Sequence, residues 1–92
     1  DNYVFGNWIS PDGITRPFAG PEIVLTPKAA IQVAGRTMPV EWQIAIPTLG
    51  FAIACSPLNP NSWMGTSFPY WEGPISFKGS HNGVGYLELT GY

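Results

Sequence analysis

The side chain best suited to acid–base chemistry is Glu72, which stands between Trp71 and Gly73 in the run PYWEG at residues 69–73. Aromatic neighbours withdraw a carboxyl group from water, which raises its pKa and suits it to proton donation. Its plainer role is to accept hydrogen bonds from backbone amides or Lys78 where a strand begins. Trp8, Trp63, Trp71, Tyr70 and Tyr86 are more large aromatics than a small core needs. As a set they suit a pocket for a flat or polyene-like hydrophobic ligand, with a few polar groups fixing its orientation. Asn7, beside Trp8, offers a donor to a ligand carbonyl, and Trp63, in a long irregular stretch, is the candidate for a mobile lid or an interdomain contact. Core packing is the expected fate of Trp42. The single His81 adjoins Asn82 and Gly83 and has no orienting partner or companion ligand in sequence. It reads as a solvated turn residue, and no metal site is expected. The chain carries no GxSxG, no phosphate-binding glycine loop and no HExxH, and no cofactor is implied.

Composition narrows the classes further. Apolar residues make up 45% of the 92 and charged residues only 11%, against roughly 25% charged in an ordinary soluble domain. So little polar material implies apolar surface that meets a partner, and the chain is expected not to stand alone as a stable monomer. A net charge of −2 with four basic residues argues against nucleic acid, which requires clustered Lys and Arg. Nothing approaches a membrane-spanning apolar run. The lone Cys55 excludes an intrachain disulfide and a Cys-rich zinc site. No basic segment precedes an apolar run at the start, so no signal peptide is read there, which says nothing of a longer parent protein; the location is left open, with the cytoplasm favoured.

The elements that must position these groups are strands. Ten prolines and eleven glycines punctuate short runs rich in β-branched and aromatic residues, and no segment keeps a helical apolar period. Strands are expected at residues 2–9, 14–18, 22–26, 29–34, 40–46, 49–55, 74–79 and 84–91. Ser10-Pro11-Asp12-Gly13 has type I turn chemistry, Pro27-Lys28 reads as a corner, and Gly35-Arg36 as a turn. In residues 40–46, Val40, Trp42, Ile44 and Ile46 share one face, with Glu41 on the solvent side. The apolar run at 49–55 reads as buried on both faces. Residues 56–68 read as a structureless loop. The last two runs form a hairpin turning at residues 81–83. Ser80 then faces Val84, Phe77 faces Leu87 and Ile75 faces Leu89, with Gly83 left-handed. That register makes Ile75, Phe77, Leu87 and Leu89 one apolar face and sets Glu88 diagonal to Lys78 as an ion pair. The class is all-β, an antiparallel barrel lacking closure, since a barrel must remove its edges.

The YWEG at 70–73 followed by GYLELTGY at 85–92 resembles the ending of the AttH/CrtC-like lipocalin-type family, and more loosely so do VEWQIAIP at 40–47 and GNWISPDG at 6–13. That group includes carotenoid hydratases (hydroxyneurosporene synthase), fungal kievitone-type hydratases and fungal Diels–Alderases. The resemblance implies that residues 1–92 are a single C-terminal lipocalin-like β-barrel domain, missing its first strand or strands, in a two-domain all-β protein. An N-terminal β domain of the same polypeptide would be its partner. It also implies a hydrophobic pocket near the domain interface and a natural-product substrate, polyene, polyketide or isoprenoid. The wording NPNSWMGTSFPYWEGP at 59–74 is nearest to the fungal members, which favours a cofactor-independent Diels–Alderase. A hydratase using Glu72 as its acid and a non-catalytic lipocalin-like carrier are the alternatives.

Overall fold

Short runs broken by proline and glycine fold as expected into an antiparallel β structure. The computed structural model describes residues 4–91, so the first two residues of the expected strand at 2–9, and Tyr92 of the terminal motif, lie outside the described part. Strand β1 (Phe5–Ile9) pairs antiparallel with β2 (Thr15–Ala19) as a separate two-stranded ribbon. Its turn has the expected chemistry. Gly13 N–H donates to Ser10 O at 2.8 Å, Asp12 Oδ1 accepts from Ile14 N–H at 3.2 Å, and Gly13 takes a positive φ.

A short 3₁₀ turn opened by Pro21 leads into a second, six-stranded sheet. Its members are β3 (Val24–Val33), β4 (Arg36–Ile46), β5 (Phe51–Pro57), β6 (Trp63–Met64), β7 (Tyr70–Gly79) and β8 (Gly83–Leu89). They follow one another as a meander in which β3 pairs β4, β4 pairs β5, β5 pairs β7 and β7 pairs β8, every pair antiparallel. Strands β3 and β8 are therefore the two edges, and both run in the same direction. Pro27-Lys28 does not turn a corner: β3 passes through it with a bulge between Pro27 and Ala30. The β3–β4 connection is Ala34-Gly35, both at positive φ (51° and 75°), between the paired residues Val33 and Arg36. Two left-handed central residues match the right-handed twist of the flanking strands.

Residues 56–68 are not structureless. Strand β6 pairs with β7 through Trp63↔Trp71 and Met64↔Tyr70, on the edge that β5 occupies further along through Ile53↔Gly79 to Pro57↔Ile75. Strands β5 and β6 are thus one strand line interrupted by residues 58–62. That excursion is tied to β7 at both ends, Leu58 N–H donating to Pro74 O and Ser62 O accepting from Glu72 N–H, each at 3.0 Å. Trp71 Nε1–H reaches into it to Pro60 O at 2.8 Å. Gly73 makes room for it, because a Cβ there would stand 2.6 Å from Ser62 Oγ. Trp63 therefore belongs to a short strand paired with β7 and not to an irregular loop.

The terminal hairpin exists, but its register differs from the expected one. Phe77 faces Gly83 and Ile75 faces Gly85, four residues from the expected Leu87 and Leu89. Lys78 to Asn82 span the turn. Gly83 is not left-handed, and Gly79 takes the positive φ (142°) instead. Two causes are visible. Three of the four inward pairs match one large residue with a glycine, Gly73↔Leu87, Ile75↔Gly85 and Phe77↔Gly83, while the fourth sets Trp71 against Leu89, and this alternation lets the side chains interdigitate without overlap. The end of β7 is also held to β5, where Ser80 N–H donates to Ala52 O at 2.9 Å and Ala52 N–H to Ser80 Oγ at 2.8 Å. A Cβ at Gly79 would run into the Ala52 carbonyl oxygen. A shift of four is even, so the apolar face of Ile75, Phe77, Leu87 and Leu89 survives. Glu88 is displaced from Lys78 and faces Glu72 directly.

The core occupies one face of the sheet. Val33, Met38, Val40, Trp71 and Leu89 form one buried cluster and Ile53, Cys55 and Ile75 a second, and the half-buried Trp42 and Leu87 touch both. Strand β5 is buried on this face only, since Ala52 and Ala54 are exposed on the other, so the expectation of burial on both faces is corrected. Trp42 takes its expected core place, its Nε1–H donating to Pro39 O at 2.6 Å. Glu41 is half-buried and not in open solvent, with Ser56 Oγ 3.5 Å from its Oε1.

Candidate ligand-binding clefts

The sheet curls until its two edges border a common groove. Leu25 of β3 stands on one side, and Tyr86 to Thr90, from β8 and the residue after it, stand on the other. Trp42, Ile44, Cys55 and Ile75 of β4, β5 and β7 make the floor. The cleft measures about 450 Å³, within the range of small-molecule sites. Alternation produces the floor: Trp42 and Ile44, two apart on β4, face the same way as Cys55 and Ile53, their partners on β5. The Cys55 thiol is buried, and desolvation pushes its pKa up, so it behaves as a small apolar group. The hydroxyl and carboxyl side chains, Tyr86, Glu88 and Thr90, come from the β8 side, and the Trp42 indole N–H on the floor is taken by Pro39 O. The surface can hold an apolar body and orient one carbonyl or hydroxyl at its rim.

A second, more open cleft of about 660 Å³ lies at the Tyr70 end of β7, bordered by Arg36, Tyr70, Glu88 and Thr90 and by residues 66–69. Phe68 projects into solvent there, 88% exposed. Glu88 and Thr90 border both clefts. The Tyr70 hydroxyl donates to Glu72 Oε1 at 2.9 Å. That bond, then burial, then the nearby charges of Glu72 and Glu88 hold the Tyr70 pKa above the usual phenol range.

The residues singled out by type do not converge on one site. Tyr86 borders the first cleft and Tyr70 the second, more open one. Glu72 borders neither and is engaged with Tyr70. Trp71 is wholly buried, at 0% exposure, and Trp63 packs beside that cluster with the Arg36 guanidinium 5.2 Å above its ring. Asn7 is exposed on β1, opposite Pro17. Trp8 meets Phe51 edge-on at 5.6 Å and His81 at 5.5 Å, and these contacts join the β1–β2 ribbon to the large sheet. His81 is exposed, as expected of a turn residue, yet it has neighbours that its sequence position does not reveal. Its ring lies 5.1 Å from Phe51, and Ser80 Oγ is 2.9 Å from its Nδ1. Among the described residues no three His, Cys, Asp or Glu side chains group as metal ligands, and no helix is long and apolar enough to cross a membrane.

Sequence reading missed Leu25, Ile44, Cys55, Ile75 and Glu88 as cleft residues. The signal for the floor was present in the alternation of β4 and β5, but that pattern marks a buried face without saying where the sheet leaves it uncovered.

Comparison with known proteins agrees with this architecture. No curated protein matches the chain. A crystal structure of a Nitrosomonas europaea protein assigned to AttH superimposes with a TM-score of 0.81 at 26% identity, covering 98% of this chain and 30% of that one. The chain thus spans about a third of the length of that relative. Residues 1–92 match the AttH-like family from end to end, and the chain belongs to that family.

Proposed function

We propose that the chain supplies an apolar wall of the substrate pocket in a cofactor-independent, Diels–Alderase-like cyclase that folds a hydrophobic polyene for intramolecular cycloaddition. The observation that carries this reading is the apolar cleft between β3 and β8, whose hydroxyl and carboxyl side chains, Tyr86, Glu88 and Thr90, all stand on the β8 side. A pericyclic reaction forms its bonds without a proton transfer. The enzyme's contribution is to hold the ends of the chain in reactive contact and to polarise one carbonyl. Trp42, Ile44 and Ile75 would shape the folded polyene, and the Tyr86 hydroxyl would donate to the carbonyl. Trp8, Trp63 and Trp71 act in this reading as supports of the wall, and Asn7, exposed on the ribbon, has no part in it. Tyr70 and Glu72 would work as a hydrogen-bonded pair beside the second cleft.

One observation favours a second reading, hydration of an isoprenoid double bond. Glu88 borders both clefts, so a carboxyl group capable of protonating an alkene stands at the rim even though Glu72 does not. A non-catalytic carrier would need the cleft alone. The test is to incubate the complete polypeptide that carries this chain with a linear polyene tetramate or an isoprenoid alkene. A cyclase returns an isomer of equal mass, a hydratase adds one water, and a carrier returns the ligand unchanged. Turnover of Glu72→Gln and Glu88→Gln decides the chemistry further. A cyclase keeps most of its rate in both, whereas loss of a proton-donating acid costs on the order of 10²–10⁴-fold. A loss of that size in a variant melting at the wild-type temperature overturns the cyclase.

A further inference from the structure

We infer that the second cleft is the seat of an uncharged, polyhydroxylated head, a sugar-like ring, on a ligand whose apolar part lies in the first cleft. The inference rests on the reading of that first cleft as the place where a hydrophobic substrate is held. Continuity is the first argument. Glu88 and Thr90 border both the apolar cleft of about 450 Å³ and the open one of about 660 Å³, so the two adjoin at the end of β8. Their linings differ in kind. Trp42, Ile44, Cys55 and Ile75 floor the first, whereas hydroxyl and charged side chains ring the second beside an exposed aromatic face. A ligand that fills both is an amphiphile.

Charge is the second argument. Among the described residues, Arg36 and Glu88 are the charged side chains on the border of the second cleft. Arg36 is placed by Trp63, its guanidinium 5.2 Å from the ring centre, and its charge disfavours an ammonium head. Glu88 disfavours a carboxylate or phosphate head in the same way. What remains is a neutral head, and the hydrogen bonds already made say of what kind. The Tyr70 hydroxyl commits its hydrogen to Glu72 Oε1, and the Thr66 hydroxyl commits its own to Phe68 O, each at 2.9 Å. Both oxygens can therefore only accept from a ligand, as a carboxylate does. Three acceptors along one cleft call for several donors on one head, with the Ser67 and Thr90 hydroxyls able to take either role. Phe68, 88% exposed on the same wall, offers a flat apolar face. A sugar-like ring has both complements, hydroxyl groups around its edge and C–H groups on its face.

The test reads binding and not turnover, so its failure is separate from failure of the proposed cyclisation. The complete polypeptide that carries this chain is titrated with octyl β-glucoside, octanol, octanoate and octylammonium, each below its micelle concentration. These ligands share one apolar tail and differ only in the head, and tryptophan fluorescence reports binding. The expected result is that the glucoside binds at least about tenfold more tightly than each of the others. Tyr70→Phe and Phe68→Ala should each weaken the glucoside by about three- to tenfold, the worth of one hydrogen bond or one ring contact. Octanol binding should stay unchanged in both, which also shows that the variants are folded. Should Tyr70→Phe fail to fold, Phe68→Ala decides alone, since its ring lies outside the core. Tighter binding of octanoate or octylammonium, or a glucoside no tighter than octanol, overturns the inference. A glucoside preference undiminished by either substitution places the head elsewhere and overturns it too. Octanol binding without that preference leaves the apolar cleft standing, whereas no binding by any of the ligands removes both readings.

Discussion

The register of the terminal hairpin is exposed to a double-mutant cycle on Phe77 and Gly83. A Cβ added at Gly83 would stand 2.8 Å from Phe77 Cζ, 3.2 Å from Cε1 and 3.4 Å from Cε2. Phe77 is half-buried against the Ile53–Cys55–Ile75 cluster, so its ring cannot swing away without leaving that packing. Overpacking of this kind costs about 1–3 kcal/mol. Replacing glycine in a strand otherwise stabilises by roughly 0.5–1 kcal/mol through the unfolded chain. The net expectation for Gly83→Ala is a loss of about 1 kcal/mol. Phe77→Ala removes a half-buried ring and costs about 2 kcal/mol, below the 3–5 of a fully buried one. With the ring gone, Gly83→Ala reverts to its intrinsic gain, and the two changes should couple by roughly 1.5–2 kcal/mol. The four variants are compared by urea unfolding followed through tryptophan fluorescence, in a soluble polypeptide that carries residues 1–92. Additivity within about 0.5 kcal/mol would refute the Phe77↔Gly83 pairing and reopen the register with Phe77 opposite Leu87.

Two further outcomes follow from the same structure. Ala34 occupies a left-handed turn position at φ 51°, so Ala34→Asn, which makes the turn Asn-Gly, should raise stability by about 0.5–1 kcal/mol. The check is a higher urea midpoint at unchanged slope. Burial raises the Cys55 pKa, so the folded chain holds this proton when the unfolded chain has lost it. Stability is fully present below the ordinary thiol value of about 8.5 and falls as pH rises from there to the folded-state value. Melting temperatures between neutral and alkaline pH should drop less steeply in Cys55→Ala than in wild type, and identical slopes would contradict the assignment of the thiol to the buried floor.

Much of the fold was legible because alternation and turn chemistry are local. The Ser10–Gly13 turn, the inward face of β4 and the apolar face of the last two strands all follow from residues within a few positions of each other. The misreadings lie where a distant segment decided. The register at the C terminus depends on Gly73, Gly83 and Gly85 standing opposite Leu87, Phe77 and Ile75, and on β5 holding Ser80. The first of these was open to sequence reasoning, since three glycines at matching positions invite three large partners. The second was not, because Ala52 lies 28 residues from Ser80. Residues 58–62 misled in the same way: their proline and asparagine content indicates irregular backbone, but the bonds that fix it come from Trp71, Glu72 and Pro74.

The candidate site was less legible than the fold, for a physical reason. Residues conspicuous by type were drawn into structural work by their own polar atoms. The Trp42 and Trp71 indoles each found a backbone carbonyl, as a buried N–H must. Glu72 took the Tyr70 hydroxyl, and His81 joined Trp8 and Phe51 where the ribbon meets the sheet. The cleft is instead lined by residues with nothing distinctive about them, Leu25, Ile44, Cys55 and Ile75. It exists because five strands curl around an apolar face and leave a seam uncovered. Its chemistry is therefore set mainly by shape and by whatever polar groups β8 brings to the rim. Glu88, which the four-residue shift in register sets opposite Glu72, is the one carboxylate on that rim.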